Sequence, residues 1–347
     1  SNPVWITKAL GTVLFLLNNR QKVNMLPSFQ EISRGIGIDL DSYEKLLADT
    51  IGSDSSNFKY LIDKIFAAKG KRIRPMLVYL SAKIFGKANI HTDRAALIVE
   101  ILHNATLIHD DIVDEAELRR NMPTLNATQG NKIAVLTGDY LMAKAIGMAT
   151  KNGEHAIIDM LMPTVCTMSE GELLQLDTTD FCTDEKRYFD IIFRKTVSLI
   201  ASCMKIGAYT AGANEQQIAA IGKIGEKIGY IFQIKDDMLD YSANGKTGKE
   251  SGNDIKENKV TMPLICAWNN MSQSEQADFQ QLWNSPRTAE NIEQIRKAVI
   301  AIDGLEGSHK RITEIKKEVF ALIGTLPQSD YCTYLKQITE YIIEREN

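Results

Sequence analysis

The sequence of 347 residues predicts an all-α protein. Apolar residues recur with helical spacing along most of the chain from Asp41 onward, and no alternating stretch is long enough for a convincing strand. No linker rich in proline and serine separates two halves, so we expect a single domain. Hydrophobic residues make up 44% of the chain, which is enough for a sizeable core. We therefore predict one large helical bundle.

Residues 1–24 are expected to lie outside this domain. Ser1 and Asn2 resemble a remnant of cloning, whereas Met25 begins a stretch typical of an ordinary N-terminus. We interpret residues 1–24 as a tag, a leader or an extension from an upstream start site, and residues 25–347 as the single all-α domain. The apolar run at 13–17 is well short of the roughly 18 residues that a membrane span needs.

Helix boundaries follow from capping residues, prolines and glycines. Pro75 in a first turn and Gly86 just past a last turn are typical of one such helix. A polar segment rich in glycine and lysine, residues 244–258, is expected to be a loop. In order, helices are predicted over residues 41–48, 57–68, 75–86, 91–117, 133–149, 156–177, 188–211, 215–241 and 262–268, with several amphipathic helices between 274 and 346.

Charge and cysteine content exclude some classes of function. The net charge of −4 does not suggest a nucleic-acid-binding protein. The five cysteines form no CxxC pair and are odd in number, which is typical of buried thiols in a reducing compartment. We therefore expect a cytoplasmic protein.

Two acidic clusters are the main functional signal. Asp110, Asp111 and Asp114 follow a strongly apolar helical run, and Asp110 and Asp114 lie four apart on one helix face, where like charges repel. The pattern recurs after a second apolar run. That second cluster consists of Asp236, Asp237 and Asp240. One cluster alone could be a solvated helix end, but two copies with the same spacing indicate sites for a hard divalent cation, which prefers oxygen ligands.

Cations accompany both clusters. The segment Gly70–Pro75 places Lys71, Arg72 and Arg74 just before a helix N-terminus, where the macrodipole disfavours positive charge. Such a basic turn could simply be solvated, but beside metal-type clusters it indicates a phosphate site.

Further cations lie nearer the aspartates in the sequence. Arg119 and Arg120 follow the first cluster and are either ion-pair partners of neighbouring glutamates or a clamp for a diphosphate. A second set surrounds the other cluster and its loop, which is either an ordinary surface loop or a lid over an anionic ligand. The lysines of that set are Lys235, Lys246, Lys249 and Lys259. Lys195, Thr196 and Gln233 are further polar candidates on the helices before the loop. Carboxylates can bind a diphosphate through Mg²⁺, so the pattern predicts a substrate with a diphosphate head and an apolar body.

On these motifs, from about Asp41 to the C-terminus, the sequence resembles the trans-isoprenyl diphosphate synthases, in particular the long-chain polyprenyl group. The resemblance implies Mg²⁺ as the cofactor, with three ions per active site. Its implied metal ligands are Asp110, Asp114, Asp236 and Asp240. Its implied catalytic residues are Asp110, Asp111, Asp114, Lys195 and Asp236.

The resemblance also implies two substrates. An allylic diphosphate of the farnesyl or geranyl type would be bound by Arg119, Lys195, Thr196, Gln233, Lys249 and Lys259. Isopentenyl diphosphate would be bound by Lys71, Arg74, His103 and Arg120; without the resemblance, His103 would be interpreted as a satisfied core histidine. The product would be a long all-trans chain for quinone side chains, delivered to membrane enzymes, and the enzyme would be a homodimer.

Product length is predicted from the helix before the first cluster. Ala105 and Thr106, five and four residues before Asp110, are small, so a growing chain has room to pass. We expect a product of around octaprenyl length. A shorter-chain farnesyl or geranylgeranyl diphosphate synthase is the nearest alternative, and a non-catalytic subunit of a heteromeric synthase is a further one. A terpene cyclase would not need the basic turn at Gly70–Arg74 and would usually carry a different second metal motif.

Overall fold

The structure is a computed structural model that describes residues 27–52, 56–67, 70–119, 122–176, 181–242 and 252–346. Nearly every regular element in these ranges is a helix, which confirms the predicted all-α class. The first ten helices are α1 (Phe29–Gly35), α2 (Leu40–Ile51), α3 (Ser56–Ala67), α4 (Ile73–Phe85), α5 (Ile90–Val113), α6 (Leu125–Gln129), α7 (Asn131–Lys151), α8 (His155–Leu176), α9 (Glu185–Ile192) and α10 (Ser198–Thr210). The others are α11 (Glu215–Ser242), α12 (Asn253–Lys256), α13 (Met262–Asn270), α14 (Gln273–Trp283), α15 (Ala289–Ala301), α16 (Gly304–Ile323) and α17 (Asp330–Glu344).

Local sequence explains where several helices begin. Ser28 and Glu31 form a capping box at the start of α1. The Asn89 side chain accepts hydrogen bonds from two backbone N–H groups at the start of α5. Helix α4 begins differently, because its N-cap residue, Arg72, has a left-handed backbone and makes no side-chain cap.

Long helices carry the two acidic clusters. Helix α5 packs against α4 and α7, whereas α11 packs against α10 and α16. The main core is built from these helices together with the N-terminal helices and α17, and a smaller core joins α13, α14 and α15. No helix within the described ranges is long and apolar enough to cross a membrane.

Several local predictions differ from the structure. The segment 244–258, predicted to be a loop, contains the short helix α12 (Asn253–Lys256) within its described part, because the backbone N–H groups of Asn253 and Asp254 are held by Asp240. The helix predicted to reach residue 117 ends at Val113, since Glu115 has a left-handed backbone that no α-helix continues. The segment 188–211 is interrupted by a π-helical turn at Phe193–Val197. A short antiparallel ribbon joins β1 (Leu118–Arg119) to β2 (Met122–Pro123) where no strand was expected. The predicted segment 1–24 lies outside the described residues.

Candidate active site

The first acidic cluster sits at the C-terminal end of α5, where the helix macrodipole adds to its negative charge. The Arg119 Nε donates to Asp111 Oδ1 at 2.7 Å, and Lys259 Nζ lies 3.6 Å from Asp114 Oδ1. Burial and the neighbouring Glu172 carboxylate raise the pKa of Asp110 to about 7. Asp111 therefore holds Arg119, whereas burial and Glu172 disfavour the charged form of Asp110.

The π-helical turn at Phe193–Val197 carries Lys195 and Thr196. A π-turn inserts one extra residue per turn and is often found at functional sites. The Lys195 Nζ lies 2.7 Å from Glu172 Oε1 of α8 and also contacts the Gln175 side chain. Thr196 Oγ1 donates to Gln233 Oε1 of α11 at 2.8 Å. Two consecutive residues thus reach two different helices.

The aspartates of the second cluster have three different surroundings. Asp236 is partly exposed and is paired with Arg345, whose Nη2 lies 2.6 Å from Asp236 Oδ1. Asp237 is buried and accepts hydrogen bonds from Tyr188 Oη at 2.5 Å and from Gln233 Nε2 at 2.9 Å.

Asp240, a predicted metal ligand, accepts the backbone N–H groups of Asn253 and Asp254, one on each carboxylate oxygen, both at 3.1 Å. Asp240 thereby fixes the start of the segment that presents Lys259. Because Lys259 also reaches Asp114, this segment links the two clusters.

The basic turn before α4 forms the third part of the site. Arg74 Nη1 lies 2.9 Å from His103 Nε2, and since a guanidinium can only donate, that nitrogen accepts the hydrogen bond. The Arg74 Nε is buried without a hydrogen-bond partner. The guanidinium groups of Arg74 and Arg345 lie 5.8 Å and 4.1 Å from the centre of the Phe232 ring. The ring therefore connects the basic turn with the second cluster.

Comparison with known proteins shows the family of this chain. The family model described as polyprenyl synthetase matches residues 55–302. The chain belongs to the polyprenyl synthetase family. It is 34% identical over 319 residues to the all-trans-nonaprenyl-diphosphate synthase (geranyl-diphosphate specific) of Rhodobacter capsulatus, with 91% of this chain and 98% of that one covered.

Two further matches cover nearly the whole chain. The octaprenyl diphosphate synthase of Escherichia coli K12 is 30% identical over 322 residues, with 92% of this chain and 99% of that one covered. The crystal structure of a polyprenyl synthase from Caulobacter crescentus CB15, complexed with calcium and isoprenyl diphosphate, matches with a TM-score of 0.86 at 28% identity, covering 94% of this chain and 100% of that one. The predicted fold and family are thus confirmed.

Within this polyprenyl synthetase fold, most predicted site residues lie in contacting pairs. The pairs are Arg119 with Asp111, Lys259 with Asp114, Thr196 with Gln233, Arg74 with His103, and Lys195 with Glu172. Lys71 lies over the Tyr341 ring, with its Nζ 5.6 Å from the ring centre. Arg120 and Lys249 lie outside the described residues, and the roles of all the predicted site residues stay predictions.

Sequence reasoning missed several contributors to the site. Glu172 and Gln175 are three residues apart near the end of an apolar helix, a spacing that places both on one face and could have singled them out. Tyr188 and Arg345 carry no comparable signal. A cavity of about 150 Å³ lies beside Lys195, Gln233 and Lys259.

The side chains around Asp110 fit Mg²⁺. Asp110, Asp114 and Glu172 supply hard oxygen donors, and a bound cation would stabilise the charged form of Asp110 that burial disfavours. Mg²⁺ commonly keeps several water or phosphate oxygens as ligands. In the ranges that the structure covers, no three acidic, histidine or cysteine side chains form a ready-made metal cage.

Gly171 allows α8 to approach the π-turn closely. A Cβ at this position would lie 2.6 Å from Arg194 Cβ and 3.1 Å from Lys195 N. Gly171→Ala should therefore displace the turn, weaken the Lys195–Glu172 contact and cost about 1–3 kcal/mol of stability. We expect about a tenfold loss of turnover, measured in a steady-state assay alongside thermal unfolding.

Gly147→Ala is the matched control for this substitution. An added Cβ there meets no atom within 4 Å, and alanine favours a helix by roughly 1 kcal/mol over glycine. This variant should keep its turnover and be at least as stable as the unmodified protein. Equal turnover in the two variants would show that the close approach of α8 is not needed to position Lys195 for turnover.

Proposed function

We propose that this protein is a Mg²⁺-dependent trans-polyprenyl diphosphate synthase. In this reaction isopentenyl diphosphate is added repeatedly, head to tail, to an allylic diphosphate primer of the geranyl or farnesyl type. The observation that carries the proposal is the continuous arrangement of two acidic clusters and the Arg74–His103 pair, connected through Lys259, Phe232 and Arg345. The names of the relatives support a long all-trans product of around octaprenyl length.

The residues divide into two binding regions. Lys195, Thr196, Gln233 and Lys259 lie between the acidic clusters, so we assign them to the allylic diphosphate. Bound Mg²⁺ would be held by Asp110 and Asp114 on one side and Asp236 on the other, and would stabilise the negative charge of the leaving diphosphate. Three ions per site, with Asp240 as a further ligand, remain part of the proposal, although both Asp240 oxygens already accept backbone N–H groups.

The second region suits isopentenyl diphosphate. The Nε of Arg74 has no hydrogen-bond partner, and its Nη1 is oriented by His103. Lys71 lies in the same turn. These groups hold the second diphosphate while the double bond attacks the allylic carbon. The cations fixed near the leaving group stabilise its charge as the carbon–oxygen bond breaks. The released diphosphate is the base that we assign to the final proton transfer.

Product analysis tests the proposal directly. The purified protein is incubated with labelled isopentenyl diphosphate, geranyl or farnesyl diphosphate and Mg²⁺, and the products are sized by reverse-phase chromatography after dephosphorylation. We expect a ladder ending near forty carbons that disappears when EDTA is added. Products of twenty carbons or fewer would favour the shorter-chain alternative, and no condensation at all would contradict the proposal.

We also propose that the protein is a homodimer. Three leucines on the neighbouring helices α7 and α8, Leu136, Leu173 and Leu176, are at least 60% exposed, which is unusual for side chains of this size. Burying them against a second copy would remove this apolar surface from water. The location in the cytoplasm and the delivery of the product to membrane enzymes belong to the same proposal, and the five cysteines are free thiols.

Size-exclusion chromatography with light scattering tests the dimer. The unmodified protein should have the mass of two chains, and the double variant Leu136→Glu, Leu173→Glu should have the mass of one, since charges there would be buried in the interface. Leu46→Glu, which changes an exposed leucine of α2, is the control and should leave the dimer intact. A double variant that stays dimeric would exclude this surface.

A further inference from the structure

Arg72 is the one cation of the basic turn to which the proposed function gives no role. It is 5% exposed, although arginine is rarely buried without partners. Its backbone is left-handed, with φ 52° and ψ 33°, a conformation that costs a residue with a Cβ roughly 1–2 kcal/mol. A buried charge on a strained backbone persists only where its surroundings hold it firmly.

The Arg72 guanidinium is held between carboxylates from two helices. Its Nε and Nη2 donate to the two oxygens of Glu44 at 2.6 Å and 2.9 Å, and its Nη1 donates to Glu100 Oε1 at 2.5 Å. Glu100 is itself buried and accepts a further hydrogen bond from Asn104 at 3.3 Å. All three arms of the guanidinium are therefore fixed in the planar geometry that arginine favours.

This clamp lies next to the proposed isopentenyl diphosphate region. Arg72 is two residues before Arg74, and Glu100 is three residues before His103 on α5. The contacts Arg72–Glu100 and Arg74–His103 therefore join the same turn to the same helix, one after the other. Because both contacts join the same two segments, the Arg72–Glu100 contact also fixes where Arg74 lies relative to His103.

Glu44 extends the clamp to the N-terminal part of the chain. It belongs to α2, which precedes the residues 55–302 that the family model matches. The adjacent Tyr43 donates its hydroxyl hydrogen to the Ala96 carbonyl of α5 at 3.2 Å. Helix α2 is thus anchored on α5 while its glutamate reaches the basic turn.

We propose that Arg72, clamped by Glu44 and Glu100, is a positioning residue that presents Lys71 and Arg74 to isopentenyl diphosphate. This inference rests on the proposed function. The allylic diphosphate region is built from other contacts, those of Lys195 with α8 and of Thr196 with α11. Loosening the clamp should therefore weaken the binding of one substrate and leave the other unaffected.

Separate Michaelis constants for the two substrates test this inference. In Glu44→Gln and in Arg72→Lys, we expect the KM for isopentenyl diphosphate to rise about tenfold or more, while the KM for the allylic primer stays within about twofold. Lysine keeps the charge but loses the two-pronged geometry. Glu44→Asp keeps the carboxylate and should recover part of the loss. Thermal unfolding of each variant shows whether it is folded.

Glu154→Gln is the matched control. Like Glu44, Glu154 pairs with an arginine side chain. Glu154 is buried, and its partners Arg94 and His91, both at 2.8 Å, lie near the end of α5 opposite to Glu100. This variant should lose stability without changing either KM. An equal rise of both KM values in Glu44→Gln, or the same rise in Glu154→Gln, would overturn the positioning role.

Arg74→Gln separates this inference from the proposed function. If it raises the KM for isopentenyl diphosphate and the folded Glu44 variants do not, the clamp is wrong and the substrate assignment stands. If the unmodified protein does not condense isopentenyl diphosphate at all, the proposed function fails first.

Discussion

Asp110→Asn is expected to lower turnover at saturating substrates by about a hundredfold to a thousandfold. The substitution keeps the shape of the side chain and removes a negative oxygen donor at the end of α5. Because asparagine attracts Mg²⁺ less strongly than a carboxylate, the Mg²⁺ concentration that gives half-maximal turnover should also rise. Both quantities follow from a steady-state assay with the metal concentration varied.

The stability of this variant distinguishes lost chemistry from lost folding. Burial and Glu172 raise the pKa of Asp110 to about 7, so the charged carboxylate is disfavoured in the folded protein. The native state therefore loses stability as the pH rises from the ordinary pKa of an aspartate toward 7, and asparagine avoids that loss. At pH 8 without Mg²⁺ the thermal midpoint of Asp110→Asn should be no lower than that of the unmodified protein.

Asp139→Asn is the control for Asp110→Asn. Asp139 is an exposed aspartate of α7 whose carboxylate lies 3.4 Å from His109 Nε2. Its substitution should leave turnover within about twofold, since exposed ion pairs contribute little. Near-normal turnover in Asp110→Asn would reject the metal-binding role of the first cluster.

Thr106→Phe is expected to shift the product distribution downward by several isoprene units. Ala105 and Thr106 were both predicted to leave room for a long product, and the structure distinguishes them. Ala105 is fully enclosed in the core, whereas Thr106 remains half-buried and donates its hydroxyl hydrogen to the His103 carbonyl at 2.9 Å. Because position 106 is less enclosed than position 105, a phenyl ring there should disturb the core less, and it would obstruct the path that we propose for the growing chain.

Ala105→Phe should also shorten the product, but at a cost in stability of about 1–3 kcal/mol because it overfills a packed core. Thr313→Phe is the control: Thr313 is a half-buried threonine of α16 that bonds to its own helix in a similar way, through the His309 carbonyl at 2.9 Å. Reverse-phase chromatography of the dephosphorylated products measures the shift. An unchanged distribution in Thr106→Phe would mean that product length is set elsewhere.

The roles within each acidic cluster show where sequence reasoning ends. Three aspartates with helical spacing could all be metal ligands as far as the pattern is concerned. In the structure Asp111 holds Arg119, Asp237 is enclosed by Tyr188 and Gln233, and Asp240 binds the backbone of the next segment. Those partners come from other elements of the chain, so the spacing of the aspartates does not reveal them.

The three cations of the basic turn also differ in ways that the sequence does not show. Lys71, Arg72 and Arg74 are equally cationic in the sequence, yet Arg72 is turned inward to Glu44 and Glu100. Its left-handed backbone is the local sign of this difference, and nothing in the neighbouring residues predicts it, since glycine would be the usual choice for such a conformation.

The sequence by itself determined the all-α class, the helices that carry the acidic clusters and the basic turn before α4. These features depend on the helical period and on capping residues, which act over a few neighbouring positions. Only the tertiary structure decided which carboxylate meets which cation. The contacts of Lys195 with Glu172, Asp236 with Arg345 and Arg72 with Glu44 join residues far apart in the chain, and packing alone brings them together.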